Sequence, residues 1–185
     1  ASAKNDFVFD VTKNPELINA NPEGLLLSDI KQDKTPEQLF LQYTTAKDLY
    51  SKYTAIEEAK DQVSKNPFAD KLYAAALKDK FYRNRLLALE GLPEDPKSFL
   101  ADVEKLAQND EKNLVKGAAI GVLAKTKNPK YLPLFEKGIN AVSNSVKGNS
   151  LSGIAQVAPE KVVSYAEKLD LQSASDDLVS TLLPV

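Results

Sequence analysis

The feature that most constrains this 185-residue sequence is a recurring pair, in which a helix-capping residue is followed by proline. The pair occurs at Thr35-Pro36, Asn66-Pro67, Asp95-Pro96 and Asn128-Pro129, with a degenerate copy at Ala158-Pro159. Thr, Asn and Asp accept hydrogen bonds from the free N–H groups of a helix's first turn. Proline suits the first helical position because its missing N–H would have no partner there. The pattern therefore predicts that a helix begins about every 31 residues.

A unit of this length fits two antiparallel helices of about 12 residues with their turns, an ordinary helix length. Apolar residues recur at helical spacing after the prolines, as in Phe99, Leu100, Val103, Leu106 and Ala107. The second helix of later units contains Gly121 and Gly153, which are poor helix formers and indicate close approach of neighbouring helices. Such a period is typical of α-solenoids of the TPR, HEAT or armadillo kind.

The sequence thus predicts an all-α fold, an α-α superhelix of HEAT/armadillo-like helical pairs over residues 34–185. We expect about ten helices that turn near the five prolines. Gly121 should pack against a neighbouring helix. Neither Gly nor Pro marks the turn inside the first unit, which we place at Asp48–Tyr53. A last helix near 173–183 should close the array, because an end repeat has no neighbour to cover it.

Residues 1–33 follow a different pattern. Phe7, Phe9 and Val11 alternate with other residues, which predicts a strand near 6–12. The turn signal Asn21-Pro22-Glu23-Gly24 separates it from a second strand near 25–31. Two strands alone are marginal in water. We therefore expect an antiparallel pair that packs on the helices or is the end of a larger sheet.

The composition limits the chemistry that this chain can perform. It contains no Cys and no His, which excludes thiolate nucleophiles, Cys/His metal sites and Ser-His-Asp triads. The adjacent pairs Glu57-Glu58 and Asp176-Asp177 would diverge by about 100° on a helix and so could not share a proton. We assign no catalytic, cofactor-binding or metal-binding residue. No apolar run approaches the roughly 18 residues of a membrane span, and the compartment stays open.

Lysines are concentrated in one part of the chain. The net charge of −2 argues against nucleic acid as a partner, yet residues 112–147 contain seven Lys and a single acidic residue, Glu136. Lys116 and Lys147 lie 31 residues apart, at equivalent positions of two second helices. Equivalent repeat positions share a face, so we expect these two side chains to form a basic strip that faces a partner or a substrate carboxylate. A solvated surface is the alternative.

Several strings in the sequence resemble known families. Residues 79–92 have an acidic start, the arginines Arg83 and Arg85, and a ridge of Ala and Leu, and they resemble the second helix of a HEAT-type repeat. A wider order of segments is similar to the C-terminal region of bacterial aminopeptidase N-like zinc metallopeptidases, the gluzincin aminopeptidases. Those segments are the strand at 7–11, Pro15–Asn19, Leu25–Leu27, Thr35–Tyr43 and Ala46–Tyr53.

The resemblance implies a β-sandwich, of which residues 1–33 are the end, followed by a HEAT-like helical domain. In that family the helical domain lies behind the catalytic domain, closes over the active-site chamber and limits access to it. The family's zinc ligands include histidines, and this chain has none. Zinc is therefore expected only in an absent catalytic domain. The resemblance implies that this catalytic domain is the partner of the chain, and that peptide substrate contacts the chain only indirectly. The absence of Met is compatible with a piece of a longer polypeptide.

Two other interpretations remain open. The first is a freestanding HEAT-like protein-interaction scaffold, for which the N-terminal strands would complete a self-contained cap. The second is a helical repeat protein that binds anions or nucleic acid. Only the lysines of 112–147 support it, and they lack the interleaved aromatics and arginines that such sites use.

Overall fold

The structure is a computed structural model that describes residues 8, 10–20, 22, 24–25 and 32–166. These residues form nine α-helices: α1 Pro36–Thr45, α2 Leu49–Ala59, α3 Pro67–Ala76, α4 Tyr82–Glu90, α5 Leu100–Asn109, α6 Asn113–Lys125, α7 Leu132–Gly138, α8 Asn144–Val157 and α9 Val162–Ala166. Four 3₁₀ turns accompany them: Lys60–Gln62, Lys97–Phe99, Pro129–Tyr131 and Pro159–Lys161. The predicted all-α body is confirmed for this part of the chain.

The predicted helix starts are confirmed. Pro36 is the first residue of α1, where Thr35 and Gln38 form a reciprocal capping box. Pro67 is the first residue of α3, and the other three prolines begin or directly precede a 3₁₀ turn. Asp95 differs from the expected cap, because its carboxylate pairs with the ammonium group of Lys97 at 2.9 Å. Local cap chemistry therefore determines where most of the units begin.

The turn inside the first unit lies earlier than predicted. α2 begins at Leu49, and Asp48 caps it by accepting a hydrogen bond from the Ser51 N–H at 2.6 Å. A capping carboxylate satisfies one of the free N–H groups of the first turn, so Asp48 can start a helix without Gly or Pro. Ile56 and Ala59 are buried on this helix.

The helices pack in pairs and in layers. Within each pair, α1 contacts α2, α3 contacts α4, α5 contacts α6 and α7 contacts α8. The second helices α2, α4, α6 and α8 also pack on one another in that order, most extensively α6 on α8. The core between the layers is apolar, and its largest fully buried side chains include Tyr73, Phe135, Ile56, Leu72 and Leu123.

Small residues allow α6 and α8 to approach closely. A Cβ atom on Gly117 would lie 3.0 Å from the backbone carbonyl carbon and oxygen of Ser145. A Cβ atom on Gly121 would lie 2.5 Å from Oδ1 of Asn149, one turn further along both helices. Because the same offset relates both contacts, α6 and α8 run side by side in the same direction. The prediction that Gly121 packs against a neighbouring helix is confirmed.

The N-terminal strands are not found where the structure describes the chain. Residues 8, 10–12 and 25 belong to no strand, and the remaining positions of the predicted strands at 6–12 and 25–31, including Phe7 and Phe9, lie outside the described residues. A strand needs a paired neighbour, and the side chains of Val8 and Val11 are exposed. The predicted turn does contain Gly24 with a positive φ of 66°. The helix predicted near 173–183 lies outside the described residues.

Candidate functional site

Lys116 and Lys147 lie at a repeat position that has an equivalent in α4. The helices α4, α6 and α8 begin 31 residues apart, at Tyr82, Asn113 and Asn144. Counted from those starts, Lys116 and Lys147 correspond to Arg85. The contacts of Arg85 therefore show which interactions a basic side chain at this repeat position can make.

Arg85 braces two neighbouring helical pairs. Its side chain is buried, and its Nε and Nη2 donate to the two carboxylate oxygens of Asp110 at 2.7 and 2.8 Å. Its Nη1 donates to the backbone carbonyls of Asp79 and Lys80 at 2.8 and 3.1 Å. The hydrogen bonds to Asp110 raise the pKa of the guanidinium group. A bidentate pair of this kind fixes α4 against the turn that precedes α6.

The aspartates that accept hydrogen bonds just before the second helices recur at the same interval. Asp48, Asp79 and Asp110 lie 31 residues apart, and each precedes a second helix. Asp79 and Asp110 accept hydrogen bonds from the N–H groups two residues ahead, both at 2.8 Å. We call these three residues the aspartate register. The sequence reasoning missed it, although the spacing was visible in the sequence.

Asp79 forms the other link between pairs. Its carboxylate accepts hydrogen bonds from the Tyr43 hydroxyl at 2.6 Å and from the Lys52 ammonium group at 3.0 Å. Burial acts to raise the pKa of Asp79, but these bonds and the one from the Phe81 N–H lower it to about 2. Burial and the neighbouring carboxylate raise the pKa of Tyr43, which keeps the phenol protonated. Asp79 therefore ties α1 and α2 to the turn before α4.

The ion pair that would join the next two units is absent at Lys116 in the described residues. The next position in the series of aspartates is 141, and the residue there is Ala. Lys116 is half-buried, and its ammonium group forms no ion pair within the part of the chain that the structure describes. The corresponding position for Lys147 would be 172, outside that part. The two lysines do occupy equivalent positions on adjacent helices, but no contact joins them, and a strip directed at a partner stays a prediction.

A groove lies over α6 in the described residues. One part has a volume of about 350 Å³, and an adjoining part of about 320 Å³ shares Gly121, Lys125 and Asn149 with it. The floor is α6, and the two sides are α4 and α8. Neither Lys116 nor Lys147 lines it. Volumes in this range are those of small binding sites in proteins.

The sides of the groove differ in chemistry. The α4 side and the start of α6 provide apolar atoms from Leu86, Leu89 and Leu114. The α8 side is uncharged and polar, and its lining residues are Ser145, Asn149, Ser152 and Gln156. Four charged side chains surround the far end, namely Glu90, Glu94, Lys125 and Lys127. None of the four is in an ion pair with another residue of the described chain. The groove therefore offers apolar, uncharged polar and charged contacts to one ligand.

A second feature is a polar network that anchors the N-terminal segment to the first helical pair. The buried amide of Gln42 accepts from the Lys34 ammonium group at 2.6 Å and donates to the Ser51 carbonyl at 2.8 Å. The Ser51 hydroxyl donates to the Pro22 carbonyl and accepts from the Asn19 amide, both at 3.0 Å. These bonds hold the segment around Asn19 and Pro22 against α1 and α2.

Exposed apolar side chains are concentrated at the same end. They are Val8, Val11, Ile18, Leu25, Leu49, Tyr50 and Tyr53, whereas Leu114, Val142 and Val163 are the other large ones in the described residues. The ring of Tyr50 lies 3.2 Å from where a Cβ atom on Gly24 would be, so segment and helix form one surface. Contiguous exposed apolar surface is a mark of interaction sites.

The described residues contain no group of three or more Asp or Glu placed to hold a metal ion. None of the helices in this part of the chain is long and apolar enough to cross a membrane. No known family profile matches the sequence, and a comparison with curated proteins also finds no match.

Proposed function

We propose that this chain is a non-catalytic C-terminal helical domain of a zinc-dependent aminopeptidase. The observation that carries the proposal is the network centred on Gln42 and Ser51. It brings into contact the strings Pro15–Asn19, Thr35–Tyr43 and Ala46–Tyr53, on which the resemblance to that family rests. One residue from each of these three strings, out of the five in the resemblance, thus meets the others in a partly buried cluster.

The repeat class is part of the proposal. The aspartate register and Arg85 support a HEAT-like array, because the second and third units each supply an acceptor that a cation of the preceding unit reaches. Lys52 and Arg85 both donate forwards, from a second helix to the aspartate before the next second helix. Nearest-neighbour contacts of this kind are the basis of stability in solenoid proteins.

In this proposal the exposed apolar end faces the rest of the enzyme. The anchored segment and the start of α2 offer side chains such as Ile18, Leu25 and Tyr53 to a preceding β-sandwich or catalytic domain. The helical array would then close over the active-site chamber and limit the access of peptide substrates. Zinc and the catalytic groups would belong to that other domain.

The native polypeptide tests this proposal. An antibody raised against residues 32–166 would isolate it from its source for intact-mass and peptide-mapping mass spectrometry. We expect a considerably longer polypeptide that contains stoichiometric zinc and hydrolyses aminoacyl chromogenic substrates. Recovery of a free polypeptide of about the present 185 residues would contradict the proposal.

The second candidate is a freestanding HEAT-like interaction scaffold, and the groove over α6 favours it. A binding groove needs no catalytic domain, and it is lined by residues of three helices of this chain alone. Recovery of the short polypeptide in the same experiment, together with partner proteins bound to it, would support this candidate.

A further inference from the structure

We propose that the groove over α6 binds a short extended segment of another polypeptide, about five residues long. The inference rests on the groove alone, and it holds whether the chain is part of a larger enzyme or free. It assigns a binding site and the conformation and chemistry of its occupant.

The size of the groove favours an extended segment. Its lining residues on α6 run from Leu114 to Lys125, a length of about 16 Å at 1.5 Å per residue. An extended peptide rises about 3.3 Å per residue, so about five residues span that distance.

The α8 side of the groove supplies a row of hydrogen-bonding groups. Ser145, Asn149, Ser152 and Gln156 follow one another at intervals of four, three and four residues, which places all of them on one face of α8. Successive members are separated by about 4.5 to 6 Å along the axis. Equivalent backbone groups of an extended peptide repeat every two residues, at about 6.6 Å, a difference that flexible amide side chains can accommodate.

Asn149 is the central member of this row. Its Nδ2 donates to the Ser145 carbonyl at 2.9 Å, which fixes the orientation of the amide. Its Oδ1 points towards Gly121 at the floor of the groove and accepts no hydrogen bond from the described residues. Because Gly121 has no side chain, a peptide N–H can approach this oxygen closely. Asn149 is therefore oriented to accept a hydrogen bond from the backbone of the occupant.

The charges around the groove define the rest of the occupant. Glu90 and Glu94 balance Lys125 and Lys127, so a segment of high net charge of either sign would meet like charges. Leu86 and Leu114 offer an apolar contact at the opposite end. The complementary segment has apolar residues at one end, a Lys and a Glu at the other and no net charge.

Fluorescence anisotropy with the full chain tests the proposal. The probe is a fluorescein-labelled, C-terminally amidated hexapeptide Leu-Ser-Val-Ala-Lys-Glu, used together with its reversed sequence because either direction fits the groove. A second version of each carries N-methyl groups at alternate positions, which removes backbone N–H donors and leaves the side chains. We expect saturable binding of one direction and a loss of at least about tenfold in affinity on N-methylation, the factor for an ordinary hydrogen bond.

Variants locate the binding site. Asn149→Ala should weaken binding by about tenfold, and Gly121→Leu should abolish it by filling the floor. Gln156→Ala, at an exposed position of α8, should weaken binding without any effect on folding, which thermal melts would verify for all variants. Lys147→Ala is the matched control, because it lies on α8 outside the groove.

Two results would overturn the proposal. The first is no saturable binding of either direction up to about 1 mM, a standard binding free energy of about −4 kcal/mol. The second is binding that N-methylation and Asn149→Ala leave unchanged, or that a stapled helical version of the probe exceeds. Such a result would mean that the groove does not recognise an extended backbone.

Discussion

The bidentate pair between Arg85 and Asp110 offers a sharp test of how the helical pairs are joined. Asp110→Asn keeps the size of the side chain and an oxygen that can accept from the Lys112 N–H. It removes the negative charge that both Arg85 donors use at 2.7 and 2.8 Å. The guanidinium group would stay buried without a counter-charge, since only 9% of the Arg85 side chain is exposed.

Removing one partner of a buried ion pair costs about 3–5 kcal/mol, because the remaining charge is uncompensated. In a protein of this size, 1 kcal/mol shifts the melting temperature by about 2–4 °C. We therefore expect Asp110→Asn to melt roughly 6–20 °C below the parent chain. The double variant Arg85→Met with Asp110→Asn should lie closer to the parent, because it leaves no buried charge.

The matched control is Asp102→Asn. It makes the same chemical change in the pair between Asp102 and Lys78, in which 61% of the Lys78 side chain is exposed. Exposed pairs contribute about 0–1 kcal/mol, so this variant should melt within a few degrees of the parent. Thermal melts followed by circular dichroism make the comparison. If Asp110→Asn and Asp102→Asn melted alike, the bracing role of Arg85 would be refuted.

Three further predictions concern pH, helix approach and the two lysines. The pKa of Asp79 is lowered to about 2 from 3.8, so its contribution to stability is complete above about pH 4 and is lost as the pH falls towards 2. In denaturant melts, the free energy of unfolding of Asp79→Asn should therefore decrease less than that of the parent chain over that pH range. An equal decrease in both would contradict this. Gly117→Ala should cost about 1–3 kcal/mol, because the new methyl group meets backbone of α8. Gly121→Ala should cost less, because its methyl group meets only the side-chain amide of Asn149 and the gain in helix propensity offsets part of that cost. Equal melting temperatures for the two variants would argue against the packing described. Charge reversal of Lys116 and Lys147 to Glu in the native polypeptide should alter peptide kinetics or domain association if these lysines face a partner, and unchanged values for both would leave only a solvated surface.

In the N-terminal segment, the described positions of the two predicted strands belong to no strand. The alternation of Phe7, Phe9 and Val11 is a valid strand signal, but a strand forms only when a second one pairs with it. Pairing depends on residues far away in the sequence. The described part of the segment instead forms hydrogen bonds with Ser51 of α2 through Asn19 and Pro22, and no local sequence pattern predicts these contacts.

The sequence by itself determined the helix starts and the all-α class. Thr35, Asn66 and the prolines act on N–H groups within three or four residues, so their effect can be read locally. Only the tertiary structure decided that Arg85 reaches Asp110, 25 residues away, and that three helices enclose a groove in front of Asn149. Those arrangements depend on the distance and register between helices, which the packing of small residues such as Gly117 sets.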